Sequence, residues 1–106
     1  MARALINLPA TARRGDIIEI RTLVQHPMET GFRPLPNGSL VPRHIINRFE
    51  CIYDGATIFA AELHPAIAAN PFIAFKTVAT RSGELLFRWT EDTGEVREER
   101  ATITVT

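Results

Sequence analysis

Hydrophobic and polar residues alternate with a period of two over most of this chain. That period places successive side chains on opposite faces of a β-strand, and the 3.6-residue period of an amphipathic helix is confined to one short segment. In residues 16–25 it places Ile18, Ile20, Thr22 and Val24 on one face. We predict strands over residues 4–8, 16–25, 45–53, 57–63, 72–80, 84–91 and 101–106.

Four features refine this pattern. Residues 72–80 are apolar on both faces, which predicts a central strand. The Ala-rich segment 63–72 permits one helical turn over residues 65–69, because Pro65 suits a first helical position and Asn70 precedes Pro71. Asp54-Gly55 predicts a tight hairpin, and residues 26–42, with four prolines, predict a long exposed loop.

About seven short strands joined by tight turns are typical of an antiparallel β-sandwich of the immunoglobulin type. We therefore predict an all-β sandwich with one short helical turn over residues 65–69. A length of 106 residues indicates a single domain spanning residues 1–106.

Charge and cysteine content narrow the classes of function. Twelve basic residues balance twelve acidic ones, so the basic surplus typical of proteins that bind nucleic acid or anionic membranes is missing. One cysteine, Cys51, excludes an internal disulfide. Neither a signal-peptide pattern nor a run of about 18–20 apolar residues is visible, which on its own predicts a cytoplasmic protein.

The candidate metal ligands are His26, His44, His64 and Cys51. These residue types can form a mononuclear iron or copper site, so a small metalloenzyme similar to superoxide reductase is an alternative function. Their spacing includes no close ligand pair, and both His26 and His64 precede proline, as turn residues often do. Cys51 shares a strand face with Phe49, which predicts a buried and inert thiol. We expect no metal or other cofactor.

Two pairs of residues could act as general acid and base, namely Glu62 with His64 and Glu91 with Asp92. Adjacent carboxylates at a hairpin are usually solvated, and we interpret residues 91–100 as an exposed charged hairpin. No phosphate-binding loop or nucleophile motif is present in the sequence. We therefore expect a binding module and not an enzyme.

Three segments resemble a known family. They are residues 26–33, His-Pro-Met-Glu-Thr-Gly-Phe-Arg, residues 42–47, Pro-Arg-His-Ile-Ile-Asn, and residues 63–71, Leu-His-Pro-Ala-Ile-Ala-Ala-Asn-Pro. The chain is similar over residues 17–105 to the SoxZ family. That resemblance implies the non-catalytic small subunit of the SoxYZ sulfur carrier of thiosulfate oxidation, in an obligate heterodimer with SoxY.

In such a carrier, a Gly-Gly-Cys-Gly-Gly arm at the C-terminus of SoxY holds the sulfur adduct and visits other sulfur-oxidation enzymes. This sequence ends Thr104-Val105-Thr106, without such an arm, which fits the SoxZ role. The resemblance also implies a periplasmic location, reached by export together with SoxY. A related carrier associated with quinoprotein dehydrogenases is a further alternative.

We expect the partner to dock on the loop after residue 25 and on the Ala-rich segment. The expected docking residues are His26, Pro27, Met28, Gly31, Phe32, Arg33, His64, Pro65, Ile67, Ala68 and Asn70.

Overall fold

Two β-sheets face each other around one apolar core in the computed structural model, which describes residues 3–106. The strands are β1 (Ala4–Asn7), β2 (Thr11–Ala12), β3 (Ile17–Val24), β4 (Ile46–Tyr53), β5 (Ala56–Glu62), β6 (Phe72–Val78), β7 (Gly83–Glu91) and β8 (Val96–Val105). One sheet has the order β1-β3-β6 and the other β2-β8-β7-β4-β5. The predicted all-β sandwich is thus confirmed.

Alternating side chains of the two sheets form the core, as the sequence pattern predicts. Ile18, Ile20 and Val24 of β3 are buried against the opposite sheet. On that sheet, the ring of Phe49 lies 5.3 Å from that of Trp89 and 6.2 Å from that of Phe75 across the sandwich. Each fully buried aliphatic or aromatic side chain contributes about 1.5–3 kcal/mol through the hydrophobic effect. The four residues that the alternation places together on one face of β3 are therefore the buried ones.

The predicted helical turn over residues 65–69 is wrong. Among residues 3–106 the structure has no helix, and the segment makes a single turn in which the Ile67 N–H donates to the His64 carbonyl at 3.0 Å. A helical nucleus fixes several residues for one hydrogen bond, so it needs packing to persist. Ala66, Ala68 and Ala69 are exposed and supply none.

The predicted central position of residues 72–80 is also wrong. Strand β6 lies at the edge of the three-stranded sheet, and the central strand is β3. Its second apolar face is uncovered, since Phe72 is 61% and Val78 45% exposed. The strands are not all antiparallel either, because the short β2 pairs in parallel with β8.

Local backbone geometry explains two features of β4. The pairing of β4 with β7 shifts between Ile46 and Arg48, which leaves Asn47 at a bulge and interrupts the alternation there. The predicted hairpin at Asp54-Gly55 is confirmed, with φ angles of 48° and 84° that suit a type I′ turn. No helix within residues 3–106 is long and apolar enough to cross a membrane.

Candidate docking site around Glu91

Glu91 is a buried carboxylate at the end of β7, where only 1% of its surface is exposed. Its Oε1 atom lies 2.8 Å from Nε2 of His26 and 3.0 Å from Nε2 of His44. Its Oε2 atom accepts a hydrogen bond from Nε of Arg97 at 2.8 Å. Three segments that are distant in sequence therefore meet on one carboxylate, which contradicts the expectation of a solvated Glu91.

The tautomer of His26 follows from its second hydrogen bond. The backbone N–H of Met28 donates to His26 Nδ1 at 2.9 Å. A neutral imidazole has one donor and one acceptor nitrogen, so Nε2 carries the proton and donates to Glu91. Met28 has a positive φ of 52°, a conformation that costs about 1–2 kcal/mol in a residue with a side chain. That strained backbone conformation is part of the geometry that aims the N–H at the ring.

Glu91 remains a carboxylate in this environment. Burial raises its pKa, but the hydrogen bonds from Arg97 and His26 and the charge of Arg97 outweigh burial, so the pKa is lowered overall. The rings of His26 and His44 lie edge to face at 5.2 Å. A buried charge that is paired and fully hydrogen-bonded holds its partners in one arrangement, whereas an unpaired one is strongly destabilising.

The Ala-rich segment joins this cluster through Asn70. The Asn70 N–H donates to the His26 carbonyl at 2.8 Å, and Asn70 Oδ1 accepts from the His26 N–H at 3.0 Å. Asn70 has a φ of 55°, a left-handed conformation that asparagine tolerates better than most residues. Between the segments lies an open cavity of about 470 Å³, lined by Gln25, His26, Pro27, His44, Ala69, Asn70, Glu91 and Arg97.

Asp92 holds the other side of the cluster. It accepts hydrogen bonds from Arg43, from the side chain of Asn47 and from the backbone N–H of Ile45. The hydrogen bond from Arg43 is the largest cause of a pKa for Asp92 lowered to about 2. These bonds fix the segment before β4, which carries His44, next to the end of β7.

The loop between Glu29 and His44 projects from this site as an ordered hairpin. Glu29 and His44 exchange backbone hydrogen bonds of 2.9 and 2.8 Å, and an Arg33–Glu29 ion pair of 2.7 Å braces the turn. Gly31 has a φ of 87°, and a Cβ atom there would lie 2.9 Å from the Cβ of Arg43. Three apolar side chains point into solvent from the loop, Phe32, Leu35 and Leu40, which are 73%, 39% and 55% exposed.

The expected docking residues divide into three groups by exposure. His26 and Met28 are buried, so they position the backbone and do not present side chains to a partner. Gly31 and Pro65 are half-buried. The exposed ones are Pro27, Phe32, Arg33, His64, Ile67, Ala68 and Asn70.

The four candidate metal ligands are not brought together. Cys51 lies in the core, where burial raises the pKa of its thiol to about 12, and His64 is exposed on the Ala-rich segment. The cluster of possible ligand atoms within residues 3–106 is formed by His26, His44 and Glu91, within 4.8 Å of one another.

This cluster does not fit a metal ion. Ligation through His26 Nε2 would require the ring proton to move to Nδ1, where it would oppose the Met28 N–H. Glu91 already accepts hydrogen bonds from His26 and Arg97. The residues are arranged as a hydrogen-bonded network, and we derive no metal chemistry from it.

Sequence reasoning set Glu91 aside as a solvated carboxylate and missed Arg97. A signal for the burial of Glu91 was present, because Leu85, Phe87 and Trp89 form the buried face of β7 and Glu91 continues the same alternation. Arg97 carries no comparable signal, since its position depends on how β8 packs, whereas Ala69 belongs to the Ala-rich segment that was expected to dock a partner.

Comparisons with known proteins agree on the fold. Superoxide reductase (neelaredoxin) from Ignicoccus hospitalis is 20% identical, with a TM-score of 0.76, covering 97% of this chain and 80% of that one. A putative superoxide reductase from Thermotoga maritima is 17% identical, with a TM-score of 0.71 and coverages of 97% and 85%. The sulfur carrier protein SoxY from Chlorobium limicola f thiosulfatophilum is 11% identical, with a TM-score of 0.68 and coverages of 97% and 78%. These identities show a shared fold alone.

Family membership comes from the sequence itself. No curated protein matches the chain significantly. The profile of the family described as sulphur oxidation protein SoxZ matches residues 6–102 of the 106 residues, which include every residue that lines the Glu91 cavity. The chain therefore belongs to the SoxZ family of sulphur oxidation proteins.

Proposed function

We propose that this chain is the non-catalytic docking subunit of a SoxYZ-type sulfur carrier, and that it pairs with SoxY in an obligate heterodimer. The observation that carries the proposal is the double hydrogen bond between His26 and Asn70. It joins two of the segments that resemble the family into one surface around the Glu91 cavity. Family membership supports the sulfur-oxidation role.

The site is suited to binding and lacks the features of a catalytic centre. The sole cysteine is buried with a raised thiol pKa, so it is a poor nucleophile. His26 and Glu91 are engaged with each other and with Met28 and Arg97. A fixed surface loses little conformational freedom on association, so more of the contact energy appears as affinity.

Two parts of this surface suit different contacts. On the projecting loop, the exposed Phe32, Leu35 and Leu40 offer apolar surface that a partner can bury. The small side chain of Ala69 at the Glu91 cavity leaves room for a partner backbone to approach closely. We propose that SoxY packs on the loop and that its cysteine arm passes over the cavity, while the visiting enzymes contact the same rim.

We further propose that the complex works in the periplasm and that this subunit is exported together with its SoxY partner. Fractionation of cells that express both chains tests the location. Recovery of this chain in the periplasm only when SoxY carries its export signal is expected. Recovery there in the absence of SoxY would contradict co-export.

Co-expression with the neighbouring reading frame tests the function. Size-exclusion chromatography with light scattering should give a one-to-one complex whose partner ends in Gly-Gly-Cys-Gly-Gly. A neighbour without a terminal cysteine arm, or failure of the two chains to associate, would overturn the sulfur-carrier assignment. A second co-expression replaces Phe32 and Leu40 of this chain by serine. These substitutions should weaken the complex while each chain stays folded.

A further inference from the structure

The outer face of the three-stranded sheet is uncovered and has an ordered pattern. Leu5, Leu23 and Phe72 are paired across β1, β3 and β6, and they form an apolar row at one end. Leu5 is 58% and Phe72 61% exposed. Ile17 and Val78 are paired at the other end and are 73% and 45% exposed.

Charged residues separate the two apolar rows. Glu19 and Arg21 point outward between them from β3, with 2.6 Å between Arg21 Nε and Glu19 Oε1. Along β3 this face therefore reads apolar, acidic, basic, apolar, at Ile17, Glu19, Arg21 and Leu23.

This order is self-complementary. A twofold rotation about an axis that lies in the plane between the two sheets, and that crosses β3 at a right angle between Glu19 and Arg21, places Ile17 of one copy over Leu23 of the other. The same rotation places each Glu19 over the other copy's Arg21. Isologous interfaces require such a pattern, because one patch must fit itself.

The outer face of the five-stranded sheet is charged where that of the three-stranded sheet has apolar rows. Ion pairs cross it between neighbouring strands, at 2.9 Å between Arg88 and Glu98 and at 3.1 Å between Arg100 and Glu84. Charged sheet faces of this kind resist pairing. The apolar rows are thus a property of one face of the sandwich.

We propose that the outer face of the β1-β3-β6 sheet is a homodimer interface, in which two copies of this chain pack face to face about a twofold axis. None of the residues lining the Glu91 cavity lines the groove on this face, which is bordered by Leu5, Ile6, Asn7, Leu8, Arg21, Thr22, Leu23 and Phe72. The proposed interface therefore shares no lining residue with the Glu91 cavity.

The size of the face sets the strength of association. Three strands about 4.8 Å apart and seven residues at about 3.4 Å each give a flat footprint of roughly 14 by 24 Å. The flat area of roughly 340 Å² is less than half of the about 800 Å² per partner that is standard for specific interfaces, so we expect a weak dimer. The dimer forms in a concentration-dependent equilibrium, and a net charge of zero provides no long-range repulsion against it.

Sedimentation velocity on the full chain, from low micromolar to millimolar concentration, tests the proposal. The native chain should shift from monomer to dimer. Phe72→Glu should weaken the dimer by at least about tenfold, because it puts a charge in the apolar row. Phe32→Glu, on the projecting loop, is the matched control and should leave the equilibrium unchanged.

A charge-exchange experiment tests the twofold geometry itself. Glu19→Arg makes both central positions basic, and Arg21→Glu makes both acidic, so each variant alone should remain monomeric. Mixed together they should form a heterodimer, because positions 19 and 21 of one variant then face opposite charges on the other, while Lys76 on the same face is unchanged in both. Glu84→Arg mixed with Arg100→Glu carries the same charges on the opposite sheet and should not associate.

Three results would overturn the proposal. They are a native chain that stays monomeric at millimolar concentration, a dimer that Phe72→Glu leaves intact, and association of the two control variants equal to that of the test pair. If Phe72→Glu abolished binding to a SoxY partner while the native chain alone stayed monomeric, the face would belong to that partner and the homodimer proposal would fail.

Discussion

His26 and Asn70 are 44 residues apart in the chain and are joined by two hydrogen bonds, one between their backbones and one to the Asn70 side chain. The Asn70 N–H donates to the His26 carbonyl, and the His26 N–H donates to the Asn70 side chain. The His26 ring is in turn hydrogen-bonded to Glu91. A displacement of the Ala-rich segment should therefore also displace His26 relative to the buried carboxylate.

Substitution of Asn70 should separate its two contributions. Asn70→Ala loses the side-chain acceptor and disfavours the positive φ, so we expect a loss of about 2 kcal/mol in the free energy of unfolding. Asn70→Gly keeps the backbone conformation and should lose about half as much. Urea unfolding measures both, with Asn7→Ala on the exposed β1 as control. Equal losses for the alanine and glycine variants would show that the left-handed conformation costs nothing.

Glu91→Gln should destabilise the protein by about 1–3 kcal/mol, because Arg97 loses its charged partner at a buried position. The matched control is Glu84→Gln, which breaks an exposed ion pair with Arg100 and should cost less than about 0.5 kcal/mol. Thermal and urea unfolding measure the difference. Similar small losses at both positions would mean that the buried network contributes no more than a surface ion pair.

Acid should weaken the hydrogen bonds that Asp92 accepts just after β7. The pKa of Asp92 is lowered from 3.8 to about 2 by its hydrogen bonds, above all that from Arg43. A depressed folded-state pKa contributes stability that is complete above the unfolded value and is lost as pH falls through the folded value. The gap in unfolding free energy between the native chain and Asp92→Asn should therefore be constant above pH 3.8 and shrink towards pH 2. A gap independent of pH across that range would contradict the assigned hydrogen bonds.

Metal ions should not stabilise the native fold. The Met28 N–H occupies His26 Nδ1, so His26 Nε2 keeps its proton and is a poor ligand. Addition of ferrous iron or zinc, or of a chelator, should leave the thermal unfolding midpoint unchanged. A stoichiometric metal that raised the midpoint, with the effect removed by His26→Ala, would instead favour a metal site.

The sequence predicted those parts of the fold that depend on local alternation. The buried face of β3 and the hairpin at Asp54-Gly55 follow from period two and from turn chemistry. The edge position of β6 could not be predicted in this way. A strand that is apolar on both faces has the same sequence pattern whether its outer face is buried or exposed.

Prediction of the site was limited in a similar way. The burial of Glu91 follows from the alternation along β7, because Glu91 lies on the same face as Leu85 and Trp89. Its carboxylate nevertheless favoured the expectation of an exposed side chain. The hydrogen bonds between His26 and Asn70 join two segments that are far apart in the sequence, and no local pattern predicts that they are in contact. Only the packing of the sheets brings them together.

The most direct test of docking at the Glu91 cavity is a calorimetric titration of the purified chain with its SoxY partner. Ala69 lines the cavity, whereas Ala66 lies in the same segment but does not line it. Both side chains are exposed. We expect Ala69→Trp to weaken partner binding by at least about tenfold while Ala66→Trp leaves it unchanged, with both variants keeping the native unfolding midpoint. Full affinity in the Ala69→Trp variant, or loss of its fold without loss of binding, would contradict the assignment of this cavity as the docking site.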